Sequence, residues 1–245
     1  MKRCFIAGWC VAAIALLLCY ACNKEQGAHR IVLYGDSITA EYGAAEGSYT
    51  HLVQEKFHAD TVYRQGYCGH RYSSAVSATH GGPSWLGSYV DDVCSHTEAD
   101  LIILFAGTND YGHDMPLGVP GDTATTTSCG GLQYILDYLI AHTQAPVMLC
   151  TPFPNGAVHR LSTTPNEQGL VMADYVEAFK AVASQERYRG RVYVNDTFTS
   201  CGFAPEDEVV DSVRVYNTDG LHLSAKGYER LTDLQHAYYD CTMVQ

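Results

Sequence analysis

The sequence predicts an α/β fold in which a five-stranded parallel sheet lies between two layers of helices. Short apolar runs alternate along the chain with longer stretches in which apolar residues recur at helical spacing, and several runs end directly on polar residues and glycine. Strands that alternate with helices pair in parallel through right-handed crossovers, and the helices cover both faces of the sheet. We therefore expect a three-layer α/β/α architecture.

The five predicted strands are short runs rich in apolar and aromatic residues, which is typical of strands buried on both faces of a parallel sheet. The run at 101–105 is the clearest, because all five of its residues are apolar. The first run is followed at once by Gly35, Asp36 and Ser37, so a hydroxyl stands at the end of a strand. The predicted strands are residues 31–34, 61–63, 101–105, 146–150 and 191–195.

Between these runs, apolar residues recur every three or four positions, which is the pattern of helices that pack on a sheet. Long loops in compact domains are usually functional, so the proline- and glycine-containing stretch at 111–128 is expected to form part of the wall of a substrate site. Residues 70–83 and 200–218 are expected to be irregular. The predicted helices are residues 48–58, 85–94, 132–140, 167–185 and 224–239.

The composition narrows the range of functions. The chain has 245 residues, a hydrophobic content of 47% and a net charge of −12 at pH 7. This is enough apolar material for a sizeable core, and we expect a single domain over 30–245. Nucleic acids and anionic membranes bind clusters of lysine and arginine, and no basic run longer than a pair occurs beyond the N-terminal segment. Both are therefore excluded as expected partners.

The N-terminus is typical of an export signal. Lys2 and Arg3 precede an apolar segment, 5–18, that is too short to span a membrane comfortably. The segment resembles a bacterial lipoprotein signal, in which a cysteine at the position of Cys22 becomes the lipid-modified first residue, although such signals usually have leucine where Cys19 stands. We expect a signal peptide over 1–22, a short tether over 23–29 and an exported, membrane-anchored protein. An ordinary cleaved signal and an uncleaved anchor are the alternatives.

Six cysteines remain in the mature chain, and an even number in an exported protein permits disulfide bonds, with 15 complete pairings. A zinc site is not expected, because the mature chain has no Cys-x-x-Cys pair and no His-Glu-x-x-His motif. Cys150 ends an apolar run and is interpreted as a buried thiol. The six are Cys68, Cys94, Cys129, Cys150, Cys201 and Cys241.

Residues suited to acyl transfer follow three of the predicted strands and precede the last helix. A serine hydroxyl such as that of Ser37 needs a neighbouring base, and histidine is suitable because the free imidazole has a pKa near 6.5, so His222 is the candidate base. Asp219 is placed to accept the other ring N–H of that histidine. The backbone N–H groups of Ser37 and Gly66 and the side-chain amide of Asn109 are candidate oxyanion donors. The carboxyl ends of parallel strands meet at one edge, so these groups are expected to come together.

These blocks resemble the SGNH (GDSL-type) hydrolases. The family's blocks stand here in order as Gly35-Asp36-Ser37, a glycine loop over 66–69, Gly107-Thr108-Asn109-Asp110, and Asp219 to His222. The resemblance spans about 31–239 and implies a flavodoxin-like sheet with strand order 2-1-3-4-5. It also implies that Ser37 is the nucleophile, His222 the base and Asp219 its partner, and that Ser37, Gly66 and Asn109 form the oxyanion hole.

Two positions depart from the family pattern. Arg64 stands where members commonly have asparagine, and Glu41 stands where they commonly have glycine, so the two are expected to reshape the pocket rim or to pair with each other. Asp36 and Asp110 are expected to be structural, accepting hydrogen bonds from loop N–H groups. Three loop histidines, His70, His113 and His159, are candidates to line the pocket, although surface positions are the simpler interpretation.

The resemblance and the residues together predict a serine esterase that acts through an acyl-enzyme. Neither a Walker A motif nor Gly-x-Gly-x-x-Gly occurs, so no nucleotide or flavin cofactor is expected. With an envelope location, the favoured substrate is a short acyl group, above all acetyl, on a carbohydrate. The alternatives are a lysophospholipase or thioesterase that acts on lipid acyl groups, and a catalytically inactive binding lipoprotein on the same fold.

Overall fold

The computed structural model describes residues 28–45, 48–77, 84–156, 160–203, 209–210 and 213–244. The predicted signal peptide, Cys22 and most of the tether lie outside these residues, as does His159. In the described part of the chain, no helix combines the length and the apolar character that crossing a membrane requires.

Five strands form one parallel sheet, as predicted. Their order across the sheet is β2-β1-β3-β4-β5, and every neighbouring pair is parallel. This order places β1 and β3 at the centre, with the turn that carries Ser37 at the carboxyl end of β1. The strands are β1 (Arg30–Gly35), β2 (Thr61–Gly66), β3 (Leu101–Phe105), β4 (Val147–Cys150) and β5 (Val192–Asn195).

Helices cover both faces of this sheet, and side chains alternate between the two faces along each strand. Val32 and Tyr34 of β1 join a core on one face, whereas Ile31 and Leu33 join a core on the other. The helices are α1 (Ser48–Lys56), α2 (Val90–Cys94) after a 3-10 turn at Leu86–Tyr89, α3 (Thr108–Gly112), α4 (Ser128–His142), α5 (Met172–Ala183), α6 (Thr197–Ser200) and α7 (Ala225–Tyr238). Two short strands, β6 (Val209–Val210) and β7 (Val213–Arg214), form an antiparallel pair.

Helix α5 begins at Met172 rather than at the predicted residue 167. The side-chain oxygen of Asn166 accepts hydrogen bonds from the backbone N–H groups of Gln168 (3.0 Å) and Leu170 (3.1 Å). An asparagine that bonds nearby backbone groups in this way stabilises a turn in competition with a helix. The helix starts where Asp174 accepts from the backbone of Val171 at 2.8 Å.

The predicted loop at 111–128 is shorter than expected at both ends. Its first residues belong to α3, and Tyr111 is buried in the core with 1% of its surface exposed. At the other end, Thr127 caps α4 by accepting a hydrogen bond from the backbone of Gly130. Since Ser128 and Cys129 also donate to the carbonyls of Pro116 and Leu117, the loop is tied back onto itself.

Cys68, Cys94, Cys129 and Cys150 are free thiols in the structure, so no disulfide joins any two of them. Cys150 is fully buried, as predicted, and burial raises the pKa of its thiol to about 12. A buried thiol with so high a pKa behaves as a small apolar side chain.

Asp36 and Asp110 hold backbone loops, as predicted. One carboxylate oxygen of Asp36 accepts from the backbone of Ile38 at 3.0 Å and shapes the turn after β1. The carboxylate of Asp110 accepts from the backbone N–H groups of Tyr72 and Ser73, both at 2.9 Å. The two hydrogen bonds to Asp110 hold α3 against the loop that follows β2.

The two departures from the family pattern pair with each other. Glu41 adopts a left-handed backbone conformation, with φ of +63°, which favours glycine. Its carboxylate has 1% of its surface exposed and accepts from the guanidinium of Arg64 at 2.8 Å. It also accepts from the backbone and the hydroxyl of Thr50, at 2.7 and 2.8 Å. These bonds hold a non-glycine residue in a conformation that costs about 1–2 kcal/mol.

Replacing Glu41 by glycine and by alanine separates the backbone effect from the loss of the carboxylate. Both substitutions remove the same hydrogen bonds and are expected to lower the free energy of unfolding by about 2–3 kcal/mol. Because glycine tolerates the positive φ, Glu41→Gly is expected to be the more stable of the two by about 1 kcal/mol. Urea denaturation of both variants measures this difference, and equal stabilities would contradict the role assigned to the backbone.

Replacing Asp36 by asparagine is expected to change how stability depends on pH. Burial, reinforced by the nearby charge of Asp110, raises the pKa of Asp36 from 3.8 to about 7. The folded protein therefore keeps a proton that the unfolded chain releases, so stability falls as the pH rises from about 4 to about 7. Asparagine does not ionise, and Asp36→Asn should gain about 2–3 kcal/mol relative to wild type between pH 5 and pH 8.

Urea denaturation at the two pH values provides the measurement, with Asp233→Asn as the matched control, because Asp233 is exposed and its partner Lys56 stays charged at both values. The control should keep the same stability relative to wild type at both values. If Asp36→Asn also does so, Asp36 is ionised throughout this range in the folded protein.

Candidate active site

Ser37, His222 and Asp219 form a hydrogen-bonded chain, as the sequence predicts. The hydroxyl of Ser37 lies 3.1 Å from Nε2 of His222, and Nδ1 of the same ring lies 2.6 Å from the carboxylate of Asp219. A carboxylate only accepts hydrogen bonds, so Nδ1 carries the ring hydrogen and Nε2 presents its lone pair to the serine hydroxyl. This is the tautomer that a general base at Nε2 requires.

The segment before α7 holds Asp219 and His222 in this geometry. The other carboxylate oxygen of Asp219 accepts hydrogen bonds from the backbone N–H groups of Leu221 (2.9 Å) and His222 (2.7 Å). Asn217 closes the turn by accepting from the backbone of Gly220 at 2.6 Å. Ser224 then caps α7 by accepting from the backbone of Gly227. The aspartate is thus fixed by its own backbone before it contacts the imidazole.

Asp219 remains ionised at neutral pH for a physical reason. Its partial burial disfavours the charged form, but hydrogen bonds from the ring and backbone of His222 and from the backbone of Leu221 outweigh that effect and lower its pKa. An ionised carboxylate at this position stabilises the imidazolium that forms when the histidine takes a proton.

Tyr42 contacts the histidine ring and was not among the residues that the sequence singled out. The centroids of the two rings lie 4.6 Å apart, at an interplanar angle of 51°. The His222 side chain is only 13% exposed, whereas Tyr42 is 57% exposed. The tyrosine therefore covers one side of the imidazole. Among 18 tyrosines, its place five residues after Ser37 is the only signal that the sequence offers.

Asn109, on α3, borders the same cavity as Ser37 and His222. Its Nδ2 donates to the carbonyl of His70 at 3.0 Å, which fixes the amide while one amide hydrogen remains for a ligand. The backbone N–H of Ser37 has no intramolecular acceptor among the described residues. Both groups border the cavity at the serine, so both fit the donor roles predicted for them.

The glycine that borders the cavity at the serine is Gly69, whereas the predicted donor Gly66 is not among the described lining residues. Gly66 lies within β2 beside Gly35, and a Cβ at that position would stand 2.3 Å from the backbone nitrogen of Ala40. Its role is close packing against the turn after Ser37. Gly69, three residues later, borders the cavity with φ of +74°, and its N–H has no acceptor in the described part of the chain. Both glycines belong to one short glycine loop, so the sequence alone did not separate them.

A cavity of about 240 Å³ surrounds the Ser37 hydroxyl. None of the described residues of the 111–128 loop lines this cavity. His70 and His113 are likewise absent from that lining. The described residues that line the cavity are Ser37, Tyr42, Cys68, Gly69, Asn109, Leu221 and His222.

This arrangement supplies each part of an acyl-transfer reaction. In this geometry the imidazole of His222 can take the proton of the Ser37 hydroxyl when the oxygen attacks an acyl carbon, and can pass that proton to the leaving group. The donors beside the cavity are placed to stabilise the oxyanion of the tetrahedral intermediate. The described residues contain no group of three histidine, cysteine, aspartate or glutamate side chains arranged to hold a metal ion.

Solved structures of other proteins share this fold. A Lactobacillus plantarum protein is 23% identical, with a TM-score of 0.74, and the match covers 89% of this chain and 99% of that one. A Chitinophaga pinensis protein described as a possible lipase is 18% identical, with a TM-score of 0.66 and coverages of 88% and 99%. The inhibitor-bound aryl esterase of M. smegmatis is 19% identical, with a TM-score of 0.59 and coverages of 87% and 99%.

A search of curated proteins gives no match. The model of the GDSL-like lipase/acylhydrolase family matches residues 33–230, which include Ser37, Asn109, Asp219 and His222. Because this match covers most of the chain, the protein belongs to the GDSL-like lipase/acylhydrolase family.

Proposed function

We propose that the protein is a carboxylic ester hydrolase that forms an acyl-enzyme on Ser37. The observation that carries this proposal is the chain of contacts from the Ser37 hydroxyl through His222 to Asp219, at 3.1 and 2.6 Å. The alcohol leaves with the proton held by His222. The same ring then activates a water molecule, which releases the acid and restores the serine.

The cavity at Ser37 supports a short acyl group. Its volume of about 240 Å³ lies below the range of about 300–1,000 Å³ that is usual for ligand pockets. Tyr42 and Leu221 are the large apolar side chains in its lining, and polar groups make up much of the remainder. A long acyl chain needs an extended apolar groove, so acetyl is the favoured acyl group.

A carbohydrate ester is the favoured substrate, and its support comes from the predicted export and lipid anchor. An enzyme held at the cell envelope meets acetylated polysaccharides, which are too large to cross the membrane. The lipid acylhydrolase alternative differs in acyl chain length, and the chain-length preference of the enzyme separates the two.

Replacing Ser37 by alanine is expected to abolish ester hydrolysis. In serine hydrolases the loss of the nucleophile lowers kcat by about 10⁶-fold. Initial rates on p-nitrophenyl acetate and p-nitrophenyl octanoate, measured with wild type and Ser37→Ala, test both parts of the proposal. We expect acetate to be the faster substrate and both rates to fall to background in the variant. A faster octanoate rate would favour a lipid substrate.

The competing proposal is that the protein is a catalytically inactive binding lipoprotein. Covalent labelling of the serine distinguishes the two proposals. A fluorophosphonate reacts with a serine only when a base activates the hydroxyl. Labelling of the native protein that is absent from Ser37→Ala would support the hydrolase. If the native protein does not label and does not hydrolyse either ester, the binding function is favoured.

Replacing Cys22 by serine is expected to release the protein from the membrane if the proposed anchor is correct. Because stable anchoring depends on the acyl chains attached to that cysteine, the variant should lose incorporation of labelled palmitate and move to the aqueous phase of a detergent partition. Cys19→Ser is the matched control and should stay in the detergent phase. Equal partition of Cys22→Ser and wild type would rule out lipidation at Cys22.

A further inference from the structure

A second cavity, of about 300 Å³, lies beside the segment that follows Asn109. It is separate from the cavity at Ser37, and the two have no lining residue in common. Its described lining consists of Ala75, Val76, His113, Asp114, Met115, Pro116, Glu167 and Gln168.

Two segments of chain contribute residues to both cavities. The loop after β2 lines the first cavity at Cys68 and Gly69 and the second at Ala75 and Val76. Helix α3 and the residues after it line the first cavity at Asn109 and the second from His113 onward. His113 follows Asn109 by one helical turn, a rise of about 6 Å along the axis.

Four hydrogen bonds fasten these segments to each other between the cavities. The Asn109 amide donates to the carbonyl of His70 at 3.0 Å, and the guanidinium of Arg71 lies 3.3 Å from the ring of His113. The two backbone bonds to Asp110 described above lie between them. The second cavity therefore keeps a fixed position relative to the oxyanion donors.

The lining of the second cavity combines an apolar patch with hydrogen-bonding groups. Val76, 71% exposed, forms the patch together with Met115 and Pro116. Asp114 is neutralised by Arg160 at 2.6 Å, which leaves the carboxylate of Glu167 as the remaining acidic group of the lining. This carboxylate disfavours an anionic ligand, and the mixture suits a neutral molecule with hydroxyl groups and apolar C–H faces.

A long acyl chain fits this site poorly. Its lining presents the polar side chains of His113, Glu167 and Gln168, and burial of those polar groups against hydrocarbon is costly. A chain of sugar units has its own hydroxyl groups to satisfy them.

We propose that the second cavity binds a sugar unit of an acylated oligosaccharide while the ester group of the same molecule occupies the cavity at Ser37. This inference rests on the proposed function and extends it, since it makes the protein selective for esters of oligosaccharides over esters of single sugars. Glu167 and Gln168 are the specificity-determining residues, and neither lies in the catalytic cavity.

The test compares acetylated xylotetraose with p-nitrophenyl acetate on the full chain. The double variant Glu167→Ala/Gln168→Ala is expected to lower kcat/KM for acetylated xylotetraose by about tenfold, mainly through KM, because two hydrogen-bonding side chains are lost. Its rate on p-nitrophenyl acetate should stay within about twofold of wild type, since that ester reaches only the first cavity. Val76→Trp, which fills the second cavity, should have the same effect.

Gln54→Ala/Glu55→Ala is the matched control, because it removes the same two side-chain types from an exposed part of α1. It should change neither rate. Unchanged kcat/KM for acetylated xylotetraose in both the double variant and Val76→Trp would overturn the proposal, as would a wild type that hydrolyses p-nitrophenyl acetate but not the acetylated oligosaccharide.

Binding to Ser37→Ala separates failure of this inference from failure of the proposed function. Calorimetric titration of that variant with acetylated xylotetraose should give a Kd that rises about tenfold when Glu167→Ala/Gln168→Ala is added. If neither ester is hydrolysed but this shift in Kd is found, the proposed esterase is wrong and the sugar site stands. If esters are hydrolysed and no shift is found, the sugar site is wrong.

Discussion

The carboxylate of Asp110 is the interaction on which the site depends most. It is fully buried and accepts from two consecutive backbone N–H groups, those of Tyr72 and Ser73. These bonds hold the glycine loop after β2 against α3, and so they set the distance between Gly69 and Asn109, two of the candidate oxyanion donors. The residue neither donates nor accepts a proton in the reaction. Its contribution is the rigidity that electrostatic stabilisation of a transition state requires.

A second constraint is the turn after β1, where Glu41 replaces the glycine that is common in the family. A bulky residue at a positive φ is stabilised only when its surroundings determine its position. Here the carboxylate is satisfied on both oxygens, by Thr50 and by Arg64, and the arginine stands in place of the usual asparagine. The two departures therefore compensate each other, and the serine keeps its place at the end of the strand.

The sequence predicts the layers, the strands and the catalytic chain because each has a local signal. Apolar runs mark the strands, and Asp219 and His222 stand three residues apart beside a helix start. The predicted start of α5 was wrong because the side chain of Asn166 bonds its own loop, which helical periodicity does not reveal. The roles of Gly66 and Gly69 depend on which of them packs against Ala40, a contact between distant segments. The ring contact between Tyr42 and His222 also joins segments that are distant in the sequence, so no local pattern reveals it.

The bond between the Ser37 hydroxyl and the His222 ring joins residues that are 185 positions apart in the chain. Contacts of such long sequence separation form late, because the entropy of closing the intervening loop has to be overcome first. During synthesis Ser37 leaves the ribosome long before His222 does. In any partly folded or truncated form of the chain that lacks this contact, the serine is an ordinary alcohol with no neighbouring base.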